Sequence, residues 1–175
     1  MTNKLFSSAC VLMLFLGQTA QANIEVSFIE SAPKDRFVIN NVGGCALDNL
    51  TLDIDLSKSA GRLIFDTTSS GAGVEVFQPF EVREGAIKVT SPEGVKDGDS
   101  KLSISIATLP SGKSVSFTID VDDTLPRSAL GNIRVAGSEI ENGMVKVSSK
   151  DVKPTTALFS RASKATLVVP SCKTS

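Results

Sequence analysis

Apolar and polar side chains alternate along most of this chain. Ile24, Val26 and Phe28 are separated by Glu25 and Ser27, with Ile29 falling on the polar side. Phe37 and Ile39 follow a Pro33-Lys34-Asp35 turn. Leu50, Leu52, Ile54 and Leu56 alternate with Thr51, Asp53, Asp55 and Ser57, and Leu102, Ile104 and Ile106 alternate with Ser103, Ser105 and Ala107. A period of two marks strands that bury one face. After Leu109-Pro110-Ser111-Gly112-Lys113, the run Val115, Phe117, Ile119, Val121 leads back, which predicts a hairpin or a corner between two sheets. Shorter strands are predicted at 63–65, 74–77, 86–89, 133–135, 144–147 and 166–169.

Between these runs lie turn-formers: Ser69-Ser70-Gly71-Ala72-Gly73, Ser91-Pro92-Glu93-Gly94, Lys96-Asp97-Gly98-Asp99 and Glu141-Asn142-Gly143. The Asn142-Gly143 step predicts a tight primed turn with positive φ at both positions. Only 155–164 leaves room for a turn or two of helix. About nine or ten short strands with regular turn signals predict an all-β sandwich. Phe37-Val38-Ile39-Asn40-Asn41-Val42-Gly43 followed by Asn49-Leu50-Thr51-Leu52 resembles the second and third strands of immunoglobulin-like bacterial surface modules. The segment 109–119 is similar to the corner and returning strand of the same modules, so an immunoglobulin-like sandwich is the expected architecture.

Residues 1–22 read as an export signal. Lys4 is followed by an apolar run from Leu5 to Leu16, and Ala20-Gln21-Ala22 offers a small-x-small cleavage site before Asn23. Cys10 lies inside the run and is not placed as a lipidated first residue. The remaining 153 residues, 23–175, suffice for one sandwich domain. Losing Lys4 moves the formal charge from −1 to −2, and no Lys/Arg stripe exists to track phosphates. Nucleic acid and membrane insertion of the mature chain are therefore not expected. Periplasmic, cell-surface or extracellular locations all fit.

Export also changes how the cysteines read. Cys45 and Cys172 remain after cleavage, and in an oxidising compartment they are expected to pair, with two buried thiols as the alternative. The bridge would close a loop worth roughly 5 kcal/mol on chain-entropy grounds. The chain has no His, Tyr or Trp. That removes histidine-based nucleophile systems, histidine zinc sites and imidazole general bases. Paired carboxylates could support glycoside hydrolysis, but a glycan site ordinarily uses Trp or Tyr for stacking, and no Gly-x-Ser-x-Gly elbow is present. The expectation is a non-enzymatic protein.

The candidate site is acidic. Asp120, Asp122 and Asp123 stand at the end of the Phe117–Val121 strand, and Asp120 and Asp122 share its polar face. Their Cβ atoms are about 6–7 Å apart by strand rise, so both could lean onto one ion, with Asp123 turning in from the strand exit. Asp97 and Asp99 form a second possible contribution from a loop. Hard oxygen ligands suit calcium, although neither segment has EF-hand spacing. The competing reading, which the pattern alone favours, is solvated carboxylates that keep strand ends from pairing. Asp53 and Asp55 read as solvent-face residues. Phe65, Phe77 and Phe80 read as core rather than as an apolar docking edge. Asn49-Leu50-Thr51 is a glycosylation sequon best taken as a chance match.

Three segments carry a wider resemblance: 24–37, 63–80 and 117–124, with Gly137-Ser138-Glu139-Ile140 after them. Over about 24–147 the chain resembles small exported bacterial proteins labelled aggregation factor core, a label taken from the core of sponge cell-aggregation proteoglycans. The resemblance implies an adhesive or matrix role with calcium-dependent association, and here Asp120, Asp122 and Asp123 are the positions to which it transfers. The expected function is thus an exported interaction or adhesion module that engages protein, glycan or a second copy of itself. The alternative is a calcium- or glycan-binding module.

Overall fold

A computed structural model of the chain describes residues 22–74, 77–127, 130, 134–150 and 153–169. The strands are β1 (Ala22–Ile29), β2 (Asp35–Asn41), β3 (Leu47–Asp55), β4 (Ile64–Asp66), β5 (Glu81–Glu84), β6 (Ile87–Val89), β7 (Lys101–Leu109), β8 (Ser114–Asp122), β9 (Met144–Ser148), β10 (Thr155–Leu158) and β11 (Lys164–Val169). One sheet runs β11-β1-β2-β8-β4, with β5 also paired to β8; the other runs β10-β9-β3-β7-β6. Every strand pairing is antiparallel. The protein is an all-β, two-sheet structure compatible with a sandwich. Among the described residues the strands number eleven, above the nine or ten expected.

The alternation sorts the faces as a sandwich requires. Phe37, Ile39, Phe117, Ile119, Leu50, Leu52, Ile54, Leu102, Ile104 and Ile106 are all in the core. Phe37 lies at its centre, 5.1 Å from the Phe28 ring, 5.1 Å from Phe117 and 6.5 Å from Phe159, and Phe80 stacks on Phe117 at 4.8 Å. Phe65 is fully buried, whereas Phe77 and Phe80 are half-buried. Asp53 and Asp55 face outward and pair with Lys146 and Lys101.

Of the two alternatives for the 109–113 turn, the corner is the one formed, since β7 and β8 belong to different sheets. Three local expectations change. The 155–164 segment holds β10 and a turn in place of helix; the helical turn found is a 3-10 turn at Gly137–Ile140. At the 142–143 step only Asn142 has positive φ (70°), so the primed pair is not formed. Of the strands expected at 74–77 and 133–135, residues 75, 76 and 133 lie outside the described residues, and the described remainder is not strand. Residues 1–21 of the expected export signal 1–22, and Cys172, are likewise outside them, and Cys45 packs half-buried against the core. No helix among the described residues is long and apolar enough to cross a membrane.

Asn41 fastens the corner. Its Nδ2 donates to Cys45 O at 2.7 Å and Leu109 O at 2.9 Å, and its Oδ1 accepts from the Gly43 N–H at 3.0 Å. Its own N–H donates to Lys113 O at 2.9 Å. One buried amide thus ties the end of β2, the following turn and the end of β7. Replacing it strands buried carbonyl groups. Asn41→Ala should lose about 2–3 kcal/mol in urea unfolding, while Asn40→Ala should change stability by less than about 0.5 kcal/mol.

Candidate metal centre

The site follows from one ladder. Strand β4 is short and pairs with the far half of β8, setting Phe65 opposite Val121 and Asp66 opposite Asp120. Paired residues on antiparallel strands share a face, and so do residues two apart on one strand. Phe65 and Val121 take the core face, so Asp66, Asp120 and Asp122 share the other. One carboxylate oxygen from each lies within 4.8 Å of the other two.

That outer face is not open to water. Asp66 is 0% exposed, Asp120 6% and Asp122 1%. Residues 67–74 and 77–80, between β4 and β5, fold over them. The Val74 N–H donates to Asp122 Oδ2 at 2.8 Å, Gln78 N–H to Asp66 O at 3.3 Å, and Asp120 N–H to Gln78 O at 3.1 Å. Glycine is required where this segment crosses the acids. A Cβ on Gly73 would fall closer than 3.0 Å to the Asp66 side chain, and one on Gly71 equally close to that of Asp97. Gly71 also has φ +143°, a conformation side chains disfavour.

Asp97 reaches the cluster from its loop. Its carboxylate accepts from the N–H groups of Thr67 at 3.0 Å, Thr68 at 3.3 Å and Ala72 at 2.8 Å. Asp35, on the other side of β8, accepts from Ser31 N–H at 3.1 Å and Val121 N–H at 3.2 Å. A cavity of about 120 Å³ beside it is lined by Ser31, Asp35, Asp120 and Arg134, among others. At about 30 Å³ per molecule, it has room for about four waters next to Asp120.

Arg134 lines the cavity beside Asp120, but among the described residues no Lys or Arg forms an ion pair with Asp35, Asp66, Asp97, Asp120, Asp122 or Asp123. Both oxygens of Asp66, Oδ2 of Asp120, Oδ1 of Asp122 and Oδ2 of Asp123 are buried without a hydrogen-bond donor. Burial and then the neighbouring Asp97 and Asp122 push Asp66 up to about 8. Burial, with Asp120 and Asp122 adding, pushes Asp35 up to about 8 against its two N–H donors. Burial and the Asp122 charge raise Asp120 to about 7, and Asp122 is raised chiefly by burial. Burial acts on Asp97 too, but a hydrogen bond shared with Asp66 and the three loop N–H groups hold it below its ordinary range. Such a group of acids stays together only if protons or a cation neutralise it.

The expected residues therefore divide. Asp120 and Asp122 are brought together, and their expected solvation is overturned by burial. Asp97 joins through contact with Asp66. Asp123 is buried, its Oδ1 accepting from Leu125 N–H at 3.1 Å, but it is not one of the three converging side chains. Asp99 instead closes its own turn, accepting from Lys96 N–H at 2.8 Å. Asp66 and Asp35 were not singled out in the sequence. For Asp66 the available signal was an acid ending a short apolar strand, as Asp122 ends β8, just before a Gly-rich loop.

The three converging acids are all oxygen donors. Two oxygens on opposite sides of a calcium ion stand about 4.6–5.2 Å apart, so the observed spacing fits one shared ion. No family model, no curated protein and no solved structure matches this chain.

The raised acids fix how stability depends on pH. A carboxyl whose folded pKa lies above its unfolded value of about 4 favours folding fully below pH 4, and that stability is lost as pH climbs through the folded value. With Asp35 and Asp66 at about 8 and Asp120 at about 7, chelator-treated protein should lose melting temperature steadily between pH 5 and 8.5. Differential scanning calorimetry across that range checks it. A flat profile would mean that these acids are already neutralised by something else.

Proposed function

We propose that this chain is an exported, non-catalytic β-sandwich of immunoglobulin-like type that holds one calcium ion at Asp66, Asp120 and Asp122 and works by contact. The observation that carries this reading is the buried trio of carboxylates within 4.8 Å, with four of their oxygens lacking any donor. Calcium takes six to eight oxygens in flexible geometry and tolerates a carboxylate-rich shell. Magnesium demands a near-ideal octahedron and retains most of its waters. Water would supply the further oxygens, and the cavity beside Asp120 has room for it.

The biological use is calcium-dependent association at a periplasmic or cell surface, in keeping with the resemblance to aggregation factor core proteins. Export also favours a bridge between Cys45 and Cys172, which ties the tail to the β2–β3 turn. Intact-mass measurement of the mature protein before and after reduction should show the gain of two hydrogens.

Calorimetric titration tests the site. Calcium should bind residues 23–175 saturably with one ion per chain, and Asp122→Asn should weaken it by at least about tenfold, or roughly 1.4 kcal/mol. Asp53→Asn, on the opposite sheet's solvent face, should leave binding unchanged. In chelator, Asp120→Asn should raise the melting temperature, because it removes a repelling charge from the cluster. A wild-type protein that gives no calcium isotherm would rule the site out. Light scattering and cell-aggregation assays with calcium and chelator test the adhesive role separately.

A further inference from the structure

We propose that residues 67–74 form a strap that the cation closes, so that filling the site and ordering this surface segment are one coupled equilibrium; this rests on the calcium reading above. The strap reads Thr-Thr-Ser-Ser-Gly-Ala-Gly-Val and contains no large apolar side chain before Val74. The side chains of 68–72 are exposed, so burial does not hold it down. Its fastenings are backbone N–H groups on carboxylates. Thr67, Thr68 and Ala72 bond Asp97, and Val74 bonds Asp122.

Those two acceptors also belong to the charged cluster, since Asp97 and Asp122 both stand against Asp66. A cation among them draws the acceptors inward and holds the strap's anchor points at their present spacing. Without it, ionised Asp66, Asp97, Asp120 and Asp122 repel, and the anchors separate. Gly71 and Gly73 fit the same device. They let the strap backbone rest directly on the Asp97 and Asp66 side chains, where any larger residue would hold it off. Linkage then requires the converse: whatever opens the strap weakens the ion by the same factor.

Amide hydrogen exchange followed by mass spectrometry, on the mature protein near pH 8 with calcium or with chelator, tests this. Calcium should slow exchange across 67–74 about tenfold or more and leave the β3 segment 47–55 unchanged. Asp97→Ala removes a fastening and the charge beside Asp66 while keeping all three converging acids. It should keep 67–72 fast-exchanging in calcium and reduce calcium affinity about tenfold. Gly73→Ala, which puts a methyl against Asp66, should lower affinity similarly while β3 protection stays native. Calcium binding with no change in 67–74, or an Asp97→Ala protein with wild-type affinity, overturns the strap and leaves the site standing. Failure of the wild type to bind calcium in the calorimeter removes both.

Discussion

Three aspartates facing one another inside a β-sheet is the constraint on which the rest of this molecule turns. Like charges directly opposite in a ladder repel, and burial strengthens that repulsion by removing the water that would screen it. Here the register of β4 on β8 sets Asp66 against Asp120, the pleat adds Asp122, and Asp97 presses in from a loop. Acids held in a shared pocket, with donors supplied to some oxygens and withheld from others, are the arrangement expected when a positive partner completes the set.

The scaffold serves that arrangement by being rigid where the acids are. Asp120 and Asp122 stand on β8, which is paired to β2 along one edge and to β5 and β4 along the other. Beneath it, Phe117 is stacked on both Phe37 and Phe80, so the strand carrying the acids is anchored by the aromatic centre of the core. The corner that delivers the chain into β8 is fixed by the Asn41 amide. Only the covering segment is built from small polar residues. The acids thus stand on paired strands, and the segment above them is held by backbone N–H groups on Asp97 and Asp122.

Much of the fold was legible because a period of two is a local signal. β3, β7 and β8 are where the alternation placed them. The alternation misses what the backbone does at one end of this pair. Leu47 and Leu50 are both buried with Asp48 and Asn49 exposed between them, and across the ladder Ala107 and Thr108 are exposed before buried Leu109. Both strands change face together, with Asn49 at φ 51°, and nothing short of the pairing itself shows this. The site was half legible for a similar reason. Asp120 and Asp122 are two apart on one strand, so their shared face could be read directly. Asp66 reaches them only through cross-strand register over 54 residues, and solvated strand-end acids look identical in sequence to buried ones. Asp99 and Asp123 show the reverse error, since adjacency in sequence sent one to a turn and the other off the shared face.

Diffraction from crystals grown with calcium and soaked with terbium tests the central claim most directly. The account expects a single anomalous peak within bonding distance of the carboxylates of Asp66, Asp120 and Asp122, with Ca–O distances of about 2.3–2.6 Å in the calcium form. An empty centre near pH 8, with the acids paired through shared protons at O–O separations of about 2.5–2.7 Å, would contradict it.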